Sequence, residues 1–206
     1  MKGVILFDID HTLIDTVRVK VLTVKNLALK LNISQRLLKK IVREYTDSLK
    51  TSTDFNPDNY LSTISKHFAK NKDELSEVFF DRATYSMSLF PEIQNVLAKL
   101  STSTRLGVFS EGFVDFQTRK LILSDIYKYF DKKLIFISKR KMLPGSLKKL
   151  PPKSVIIEDN LTNAEVLQDL GIYKVLWVNR KDRMIQPKID TIYSLGDLLN
   201  KDVEYF

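Results

Sequence analysis

The sequence predicts an α/β fold in which helices cover both faces of a parallel sheet, with a segment of four helices inserted after the first strand. Two observations lead to this prediction. Short apolar runs alternate with amphipathic helical patterns in the second half of the chain, which is typical of parallel sheets whose strands are joined by helices. Between residues 15 and 88, in contrast, the spacing of apolar residues is helical throughout.

The first strand is predicted at Val4 to Phe7, and two carboxylates follow it at Asp8 and Asp10. Residues two apart on an extended segment point the same way, so the two charges lie close together unless a cation lies between them. A divalent metal would justify the pair, as would a substrate that needs one carboxylate as nucleophile and the other as acid. A strand followed by an Asx turn is the alternative, and the pair alone does not decide between them.

Four amphipathic helices are predicted within the inserted segment. Ser34 is placed to cap the second helix, and Pro57 suits the first turn of the third. The helices run from Val17 to Leu31, from Leu37 to Leu49, from Pro57 to Phe68 and from Asp73 to Tyr85. We therefore expect a helical domain at residues 15–88, inserted into a core domain made of residues 1–14 and 89–206.

The core domain continues with alternating elements. Further strands are predicted at Arg105 to Phe109, Leu134 to Ile137, Val155 to Ile157 and Val175 to Val178. Helices are predicted from Pro91 to Leu100, Val114 to Leu123, Ser146 to Leu150 and Asn163 to Leu170. Such alternation requires a parallel sheet covered on both faces.

Composition limits where the protein is located and which residues can bind a metal. The chain has 206 residues, 44% of them hydrophobic, which is enough for one sizeable core. No apolar stretch reaches membrane-spanning length and the first residues do not resemble a secretion signal, so we expect a cytoplasmic protein without a membrane partner. With no cysteine, any metal must be held by oxygen ligands or by His11 and His67, which favours Mg²⁺.

The formal net charge of +8 arises from 33 Lys and Arg residues against 25 Asp and Glu residues. It suits anionic ligands or simply solubility. The cations are scattered, and no nucleic-acid-reading motif accompanies them, so a solvated surface is favoured over nucleic-acid binding.

Ligands of parallel sheets bind outside the carboxyl ends of the strands, so the residues that follow each apolar run carry the functional signal. Ser110, Glu111 and Gly112 follow the second predicted strand, Lys139 and Lys141 follow the third, and Glu158 and Asp159 follow the fourth. Acids suit a cation, a hydroxyl and backbone N–H groups suit phosphoryl oxygens, and an ammonium offsets charge. Together they predict a phosphate and metal site at this edge of the sheet.

These four motifs resemble those of the haloacid dehalogenase-like superfamily, in its phosphatase branch. The sequence Asp8-Ile9-Asp10-His11-Thr12 is similar to the Asp-x-Asp-x-Thr motif, and Ser110, Lys141 or Lys139, and Glu158-Asp159 are similar to the second, third and fourth motifs. The resemblance extends from Gly3 to about Asn200. It implies a Rossmann-like core, with residues 15–88 as the cap domain.

The resemblance also implies roles for these residues. Asp8 would attack phosphorus to form an aspartyl-phosphate, and Asp10 would act as acid and then as base. Asp8, the backbone carbonyl of Asp10 and Asp159 would hold Mg²⁺. Ser110, with the N–H groups of Glu111 and Gly112, would bind phosphoryl oxygens.

Two assignments stay open at this point, the identity of the motif lysine and the role of Glu158. Lys141 is preferred over Lys139 as the motif lysine because Pro144 follows it. Glu158 either contacts the metal through water or only holds Lys141, and Thr12 is expected to orient the loop of the nucleophile. Asn163 and Ala164 stand where the family often has a further acid, so metal affinity is expected to be weak.

The resulting expectation is a Mg²⁺-dependent phosphatase that acts on a small phosphorylated metabolite. Two alternatives are a phosphoryl-transfer enzyme similar to sugar phosphomutases and a non-catalytic binding protein that keeps the fold. The sequence indicates neither the identity of the substrate nor the oligomeric state.

Overall fold

The computed structural model describes residues 3–182 and 184–200, and its centre is a parallel sheet of six strands. The order of the strands is β3-β2-β1-β4-β5-β6, and every pairing is parallel. The strands are β1 (Val4–Phe7), β2 (Arg105–Glu111), β3 (Ile135–Ser138), β4 (Val155–Glu158), β5 (Lys174–Val178) and β6 (Asp190–Ile192). The predicted α/β, Rossmann-like fold is confirmed.

Helices cover both faces of this sheet. Alternate residues of β1 point to opposite faces, so Ile5 and Phe7 join one core cluster and Leu6 joins another. The first cluster includes residues of α6 (Ile93–Ser103) and α7 (Val114–Leu123), and the second includes residues of α9 (Leu161–Asp169). The short helix α8 (Pro144–Leu147) precedes β4. Burial on both faces explains why β1 and β4 are continuous apolar runs in the sequence.

The inserted segment is helical, as predicted, and has a core of its own. Its helices are α1 (Thr16–Leu31), α2 (Gln35–Asp47), α3 (Pro57–Phe68), α4 (Lys72–Phe79) and α5 (Arg82–Ser86). The side chains of Asp15, Ser34 and Asn56 cap the first three helices. The buried residues Leu27, Leu38, Leu61, Ile64, Leu75 and Phe79 form a cluster separate from the two cores of the sheet.

The prediction of one continuous helix from Asp73 to Tyr85 is wrong. Helix α4 ends at Phe79, and a new helix begins at Arg82. The side chain of Asp81 accepts hydrogen bonds from both the backbone N–H and the hydroxyl of Thr84. Asp81 therefore acts as an N-cap that starts α5, which the apolar periodicity alone does not reveal.

Smaller differences lie at the ends of elements in the core. Strand β2 extends two residues further than predicted, because Ser110 and Glu111 pair with Ile137 and Ser138 of β3. The predicted helices from Pro91, Ser146 and Asn163 instead occupy the ranges given above for α6, α8 and α9. The edge strand β6 was not predicted, since Asp190 and Thr191 interrupt any apolar run there.

The chain enters and leaves the insertion through two adjacent connections. The N–H of Asp15 donates to the carbonyl of Ser88 at 2.8 Å, and Ile14 forms an antiparallel bridge with Leu89. The N–H of Phe90 donates to the carbonyl of Leu13 at 3.3 Å. The predicted domain boundary at residues 14/15 and 88/89 falls within this paired junction.

Within the described ranges, none of the helices combines the length and the apolar character needed to cross a lipid bilayer.

Candidate active site

Three adjacent strands bring predicted site residues to one edge of the sheet. Strand β1 lies between β2 and β4, so Asp8 after β1, Ser110 in β2 and Glu158 at the end of β4 are neighbours in the sheet. All three side chains are buried. The N–H of Asp8 donates to the carbonyl of Ile157 at 3.0 Å, which continues the pairing of β1 with β4.

Lys141 lies between two of these acids. Its Nζ is 3.0 Å from Oδ1 of Asp8 and 2.6 Å from Oε2 of Glu158. Burial alone would lower the pKa of Lys141, but the charges of Asp8 and Glu158 outweigh it and raise that pKa above the usual range. Lys139 is exposed, with its Nζ 4.4 Å from the centre of the Phe113 ring. The structure thus places Lys141, and not Lys139, against Asp8.

Asp8, Glu158 and Asp159 form an acidic cluster in which one carboxylate oxygen from each lies within 4.8 Å of the others. Lys141 is the one cation paired with Asp8 and Glu158 in the part of the chain that is described. Burial, followed by the charges of Asp8 and Glu158, raises the pKa of Asp159 above its ordinary value. Oxygen donors with excess negative charge fit a hard divalent cation such as Mg²⁺.

Asp10 does not join this cluster through its side chain, which is turned towards α7. Nζ of Lys120 donates to its two carboxylate oxygens at 2.7 and 2.9 Å, and Nε2 of Gln117 donates at 2.8 Å. The hydroxyl of Thr16 donates as well. Although burial would raise the pKa of Asp10, the charge of Lys120 and these hydrogen bonds hold it well below its usual range.

The sequence analysis missed Thr16, Gln117 and Lys120 as partners of Asp10. The signal for two of them is the spacing of Gln117 and Lys120, which puts both on one face of α7. Polar residues at such spacing usually form the solvent face of an amphipathic helix, so the pattern alone does not reveal that both are buried.

Several buried polar atoms at this edge lack a hydrogen-bond partner among the described residues. They are Oγ of Ser110, Oγ1 of Thr12 and Oε1 of Gln117. Leaving a buried polar group unpaired costs about 1–3 kcal/mol. A ligand oxygen that accepts a hydrogen bond from Ser110 would remove part of this cost, which fits a phosphoryl group.

Gly112 departs from its expected role in phosphate binding. Its N–H donates to the carbonyl of Ser138 at 2.9 Å and so extends the pairing of β2 with β3. Its φ of +136° is a backbone conformation that residues other than glycine rarely adopt. In the structure, Gly112 therefore turns the chain out of β2, and its N–H is engaged in the sheet.

The side chain of Glu111 points towards the inserted helices. Its Oε1 accepts from the hydroxyl of Thr53 at 3.2 Å and is 3.7 Å from a guanidinium nitrogen of Arg140. Arg140 also bonds Asp54 at 2.8 Å and Thr53 at 3.0 Å. These contacts join the loop after α2 to the core domain, and sequence patterns did not indicate them.

Glu158 has a second neighbour in Asn163, whose Nδ2 donates to its Oε1 at 3.4 Å. Asn163 stands at the position where the family often has a further acid. In this chain the position therefore supports Glu158 with an amide and adds no charge to the acidic cluster.

The backbone of Thr12 holds the loop after β1 against Arg180, because the carbonyl of Thr12 accepts a hydrogen bond from Arg180 at 3.0 Å. His11 has a φ of 60° in the turn after β1, and its N–H donates to the carbonyl of Ile14. His67 is exposed on α3 with its ring against Phe68. Neither histidine belongs to the acidic cluster.

A cleft of about 1000 Å³ lies above these residues, between the edge of the sheet and the inserted helices. Asp8, Asp10, Ser110 and Lys141 line it on the side of the core. Residues of α1, α2 and the loop after α2 line the opposite side. The arrangement can therefore enclose a small molecule over Asp8.

Comparison with known proteins identifies the family. The sequence pattern of the haloacid dehalogenase-like hydrolases matches residues 5–175. No curated protein matches the chain significantly.

Several solved structures share the fold. A structure described as a haloacid dehalogenase-like hydrolase from Burkholderia xenovorans has a TM-score of 0.70 and 19% identity, over 99% of this chain and 98% of that one. A magnesium-bound HAD hydrolase from Bacillus subtilis has a TM-score of 0.64 and 18% identity, over 97% of each chain. A HAD phosphatase from Thermococcus onnurineus has a TM-score of 0.63 and 22% identity, also over 97% of each chain.

At these identities the similarity shows the fold alone. Structures assigned as dehalogenases and as a β-phosphoglucomutase share it as well. The family pattern, however, matches residues 5–175, which is most of the sequence, and Asp8, Ser110, Lys141 and Asp159 lie within that range. The chain therefore belongs to the haloacid dehalogenase-like hydrolases.

Proposed function

We propose that the protein is a Mg²⁺-dependent phosphatase that hydrolyses a phosphate monoester of a small metabolite through an aspartyl-phosphate on Asp8. The observation that carries this proposal is the combination found in one cleft. A buried carboxylate paired with Lys141, a second acid two residues later and the unpartnered hydroxyl of Ser110 all line it. These groups suit a nucleophile, a proton carrier and a phosphoryl-oxygen donor.

In the first step, an oxygen of Asp8 forms a bond to phosphorus and the bond from phosphorus to the substrate alcohol breaks. Asp10 supplies the proton that the departing alcohol needs. In the second step, a water attacks the phosphorus, Asp10 takes up its proton, and the bond between Asp8 and phosphorus breaks to release phosphate. Lys141 keeps Asp8 oriented, since its Nζ is 3.0 Å from Oδ1 of the nucleophile.

The structure fits the second step directly. Asp10 is held as a carboxylate by Lys120, which is the form that accepts a proton from water. As an acid in the first step, Asp10 must first take up a proton inside the cleft. Lys120 and Gln117 also fix its side chain, so the group that moves the proton is preorganised.

Mg²⁺ fits the acidic cluster, and Asp8, Asp159 and the carbonyl of Asp10 would hold it. When bound, the ion would offset negative charge on the transferred phosphoryl group. The Bacillus subtilis hydrolase with the same fold binds magnesium, which supports this choice of cation.

Two other reactions occur on this fold, and one residue favours the phosphatase over the first of them. A dehalogenase releases halide, which needs no proton, whereas an alcohol leaves more easily with one. The presence of Asp10 beside Asp8 therefore supports phosphate ester hydrolysis. A phosphomutase needs the same residues and differs in returning the phosphoryl group to a second hydroxyl, so the two are separated by whether phosphate is released.

The deciding experiment is a screen of phosphorylated metabolites that measures inorganic phosphate, with Mg²⁺ or with a chelator, using wild type and Asp8→Asn. We expect release by the wild type only with Mg²⁺, and none by Asp8→Asn, whose fold is checked by circular dichroism. Conversion of a sugar phosphate into its isomer without free phosphate would favour the phosphomutase. Chloride release from 2-chloropropionate, with no phosphate release from any ester, would overturn the proposal.

A further inference from the structure

The wall of the cleft opposite Asp8 carries four cations. Lys39 and Arg43 lie on α2, Lys50 follows that helix, and Lys20 lies on α1. Lys39 and Arg43 are four positions apart, which puts them on one side of α2, and Lys50 lies three residues beyond the end of that helix. Asp47 is the one acid of α1 and α2 that lines the cleft, so this wall has an excess of positive charge.

Among the described residues, these four cations have no carboxylate partner, in contrast to two cations of the inserted helices that do not line the cleft. Lys30 pairs with Glu74 at 3.0 Å and Lys72 pairs with Asp58 at 2.6 Å, both outside the cleft. Within residues 3–182 and 184–200, none of Lys20, Lys39, Arg43 and Lys50 forms an ion pair. Four unpaired cations of the inserted segment therefore line the same cleft as Asp8.

A second and independent observation concerns Thr23 of α1. Its side chain is 3% exposed and its Oγ1 has no hydrogen-bond partner in the described part of the chain. Thr23 lines the cleft one helical turn from Lys20 and Val19. A bound molecule that reaches Thr23 would supply the missing hydrogen-bond partner.

The cleft also has apolar lining residues on both of its sides. Val42 and Leu49 belong to the insertion, and Phe113 and Phe116 belong to the core. Phe116 also packs against Phe55, with ring centres 5.9 Å apart. Such a lining suits the carbon skeleton of a substrate more than it suits water.

We propose that this wall is a subsite for a second anionic group, so that the substrate is a phosphate monoester whose alcohol part carries a further carboxylate or phosphate. The scissile phosphoryl group lies at Asp8, Ser110 and Lys141. The distal anion is bound by Arg43, Lys39, Lys50 and Lys20, and Thr23 bonds a polar atom between the two ends. This inference rests on the proposed phosphatase activity and specifies its substrate class.

Matched synthetic probes test the subsite. Alkyl phosphates with chains of two to six carbons are compared with ω-carboxyalkyl phosphates and with alkanediol bisphosphates of the same lengths. We expect one length at which a charged probe has a kcat/KM at least about 10-fold above that of its plain partner, and a preference that decreases as salt is added. Whether the carboxylate or the bisphosphate series is preferred assigns the distal group.

Variants of the proposed subsite show which side chains cause the preference for charged probes. Arg43→Gln and Lys39→Gln should each reduce the ratio of kcat/KM for charged over plain probes by about 3-fold or more, a modest factor because the side chains are exposed. Lys40→Gln is the matched control, since Lys40 is exposed on α2 and does not line the cleft. It should leave the ratio unchanged.

Failure of this inference and failure of the phosphatase proposal give different results. Equal kcat/KM for charged and plain probes at every length would overturn the subsite while phosphate release still supports the enzyme. If neither these probes nor any metabolite of the screen releases phosphate, the phosphatase proposal fails, and calorimetry with alkylphosphonates and ω-carboxyalkylphosphonates then tests the subsite by itself. Tighter binding of the carboxylated series that is lost in Arg43→Gln would support the subsite, and equal affinities would overturn it.

Discussion

Lys120 donates hydrogen bonds to both carboxylate oxygens of Asp10, at 2.7 and 2.9 Å, from a position 110 residues later in the sequence. The ammonium is almost completely buried, whereas the Asp10 side chain keeps 27% of its exposure on the side of the cleft. The pair links the loop after β1 to α7 and fixes the direction of the second acid of the motif. Its contribution can be measured separately for stability and for catalysis.

Replacing Lys120 should therefore destabilise the protein. In Lys120→Met, Asp10 loses its cation and keeps only hydrogen bonds from Gln117 and Thr16. We expect the free energy of unfolding, measured in urea, to fall by about 2 kcal/mol. Lys128→Met is the control, because its pair with Asp125 is exposed and should contribute less than about 1 kcal/mol. Equal losses in the two variants would show that the buried pair stabilises the fold no more than an exposed pair does.

Asp10→Asn tests proton transfer. The amide keeps the shape of the side chain but cannot carry the proton, so turnover of alkyl phosphates should fall by about 10²–10⁴-fold. Aryl phosphates, whose leaving groups need less protonation, should lose less. The measurement is kcat/KM over a series of esters with different leaving-group pKa values, and the same loss for alkyl and aryl esters would contradict the acid role of Asp10.

The dependence on Mg²⁺ should differ between the two acids of the fourth motif. Asp159 pairs with no cation among the described residues and is free to ligate, whereas Oε2 of Glu158 is 2.6 Å from Nζ of Lys141. We expect Asp159→Asn to raise the Mg²⁺ concentration for half-maximal activity by at least about 10-fold. Glu158→Gln should raise it less and should instead lower the stability of the fold.

Calorimetric titration of Mg²⁺ into each variant provides a readout besides activity. Because only three carboxylates of the described residues form the acidic cluster, we expect a chelator to remove the ion reversibly. Full activity in chelator, or unchanged Mg²⁺ binding in Asp159→Asn, would contradict this arrangement.

The elements that the sequence predicted correctly are those whose burial leaves a local pattern of apolar residues. Strands β1 and β4 are buried on both faces, so their apolar runs and the acids that follow them are visible locally. Edge strand β6 has Asp190 and Thr191 in its three residues and leaves no such run. The apolar strands were therefore predictable, and the polar edge strand β6 was not.

The candidate site likewise has residues that the sequence predicts and contacts that it does not. The proximity of Asp8 and Ser110 could be predicted from sequence, because both lie at the ends of strands and parallel topology brings those ends together. The contacts of Asp10 with Lys120, and of Glu111 with Thr53, depend on how α7 and the loop after α2 pack against the sheet. No local pattern encodes those orientations, so both contacts required the structure.

A last prediction concerns acid stability and the residue Glu92, which lies away from the catalytic groups. Its Oε1 is 2.8 Å from a guanidinium nitrogen of Arg180 and accepts a hydrogen bond from the N–H of Leu195 at 3.2 Å. Arg180 in turn donates to the carbonyl of Thr12, so this pair ties the C-terminal segment to the loop after β1.

Partial burial would raise the pKa of Glu92, but hydrogen bonds and the charge of Arg180 bring it below the ordinary value of 4.5. The folded state thus favours the ionised form. Its stabilising contribution is complete above the unfolded pKa and is lost as the pH falls through the folded pKa.

Glu92→Gln should therefore be less stable than the wild type at pH 7, by about 1 kcal/mol, and the difference should disappear as the pH falls below 4.5 towards the lowered pKa. Urea unfolding at several pH values measures this difference. Glu165→Gln, at an exposed position of α9, is the control and should change stability by less than about 0.5 kcal/mol at any pH. A difference between Glu92→Gln and the wild type that stays constant from pH 7 to pH 3 would show that the variant lost packing and not an ion pair.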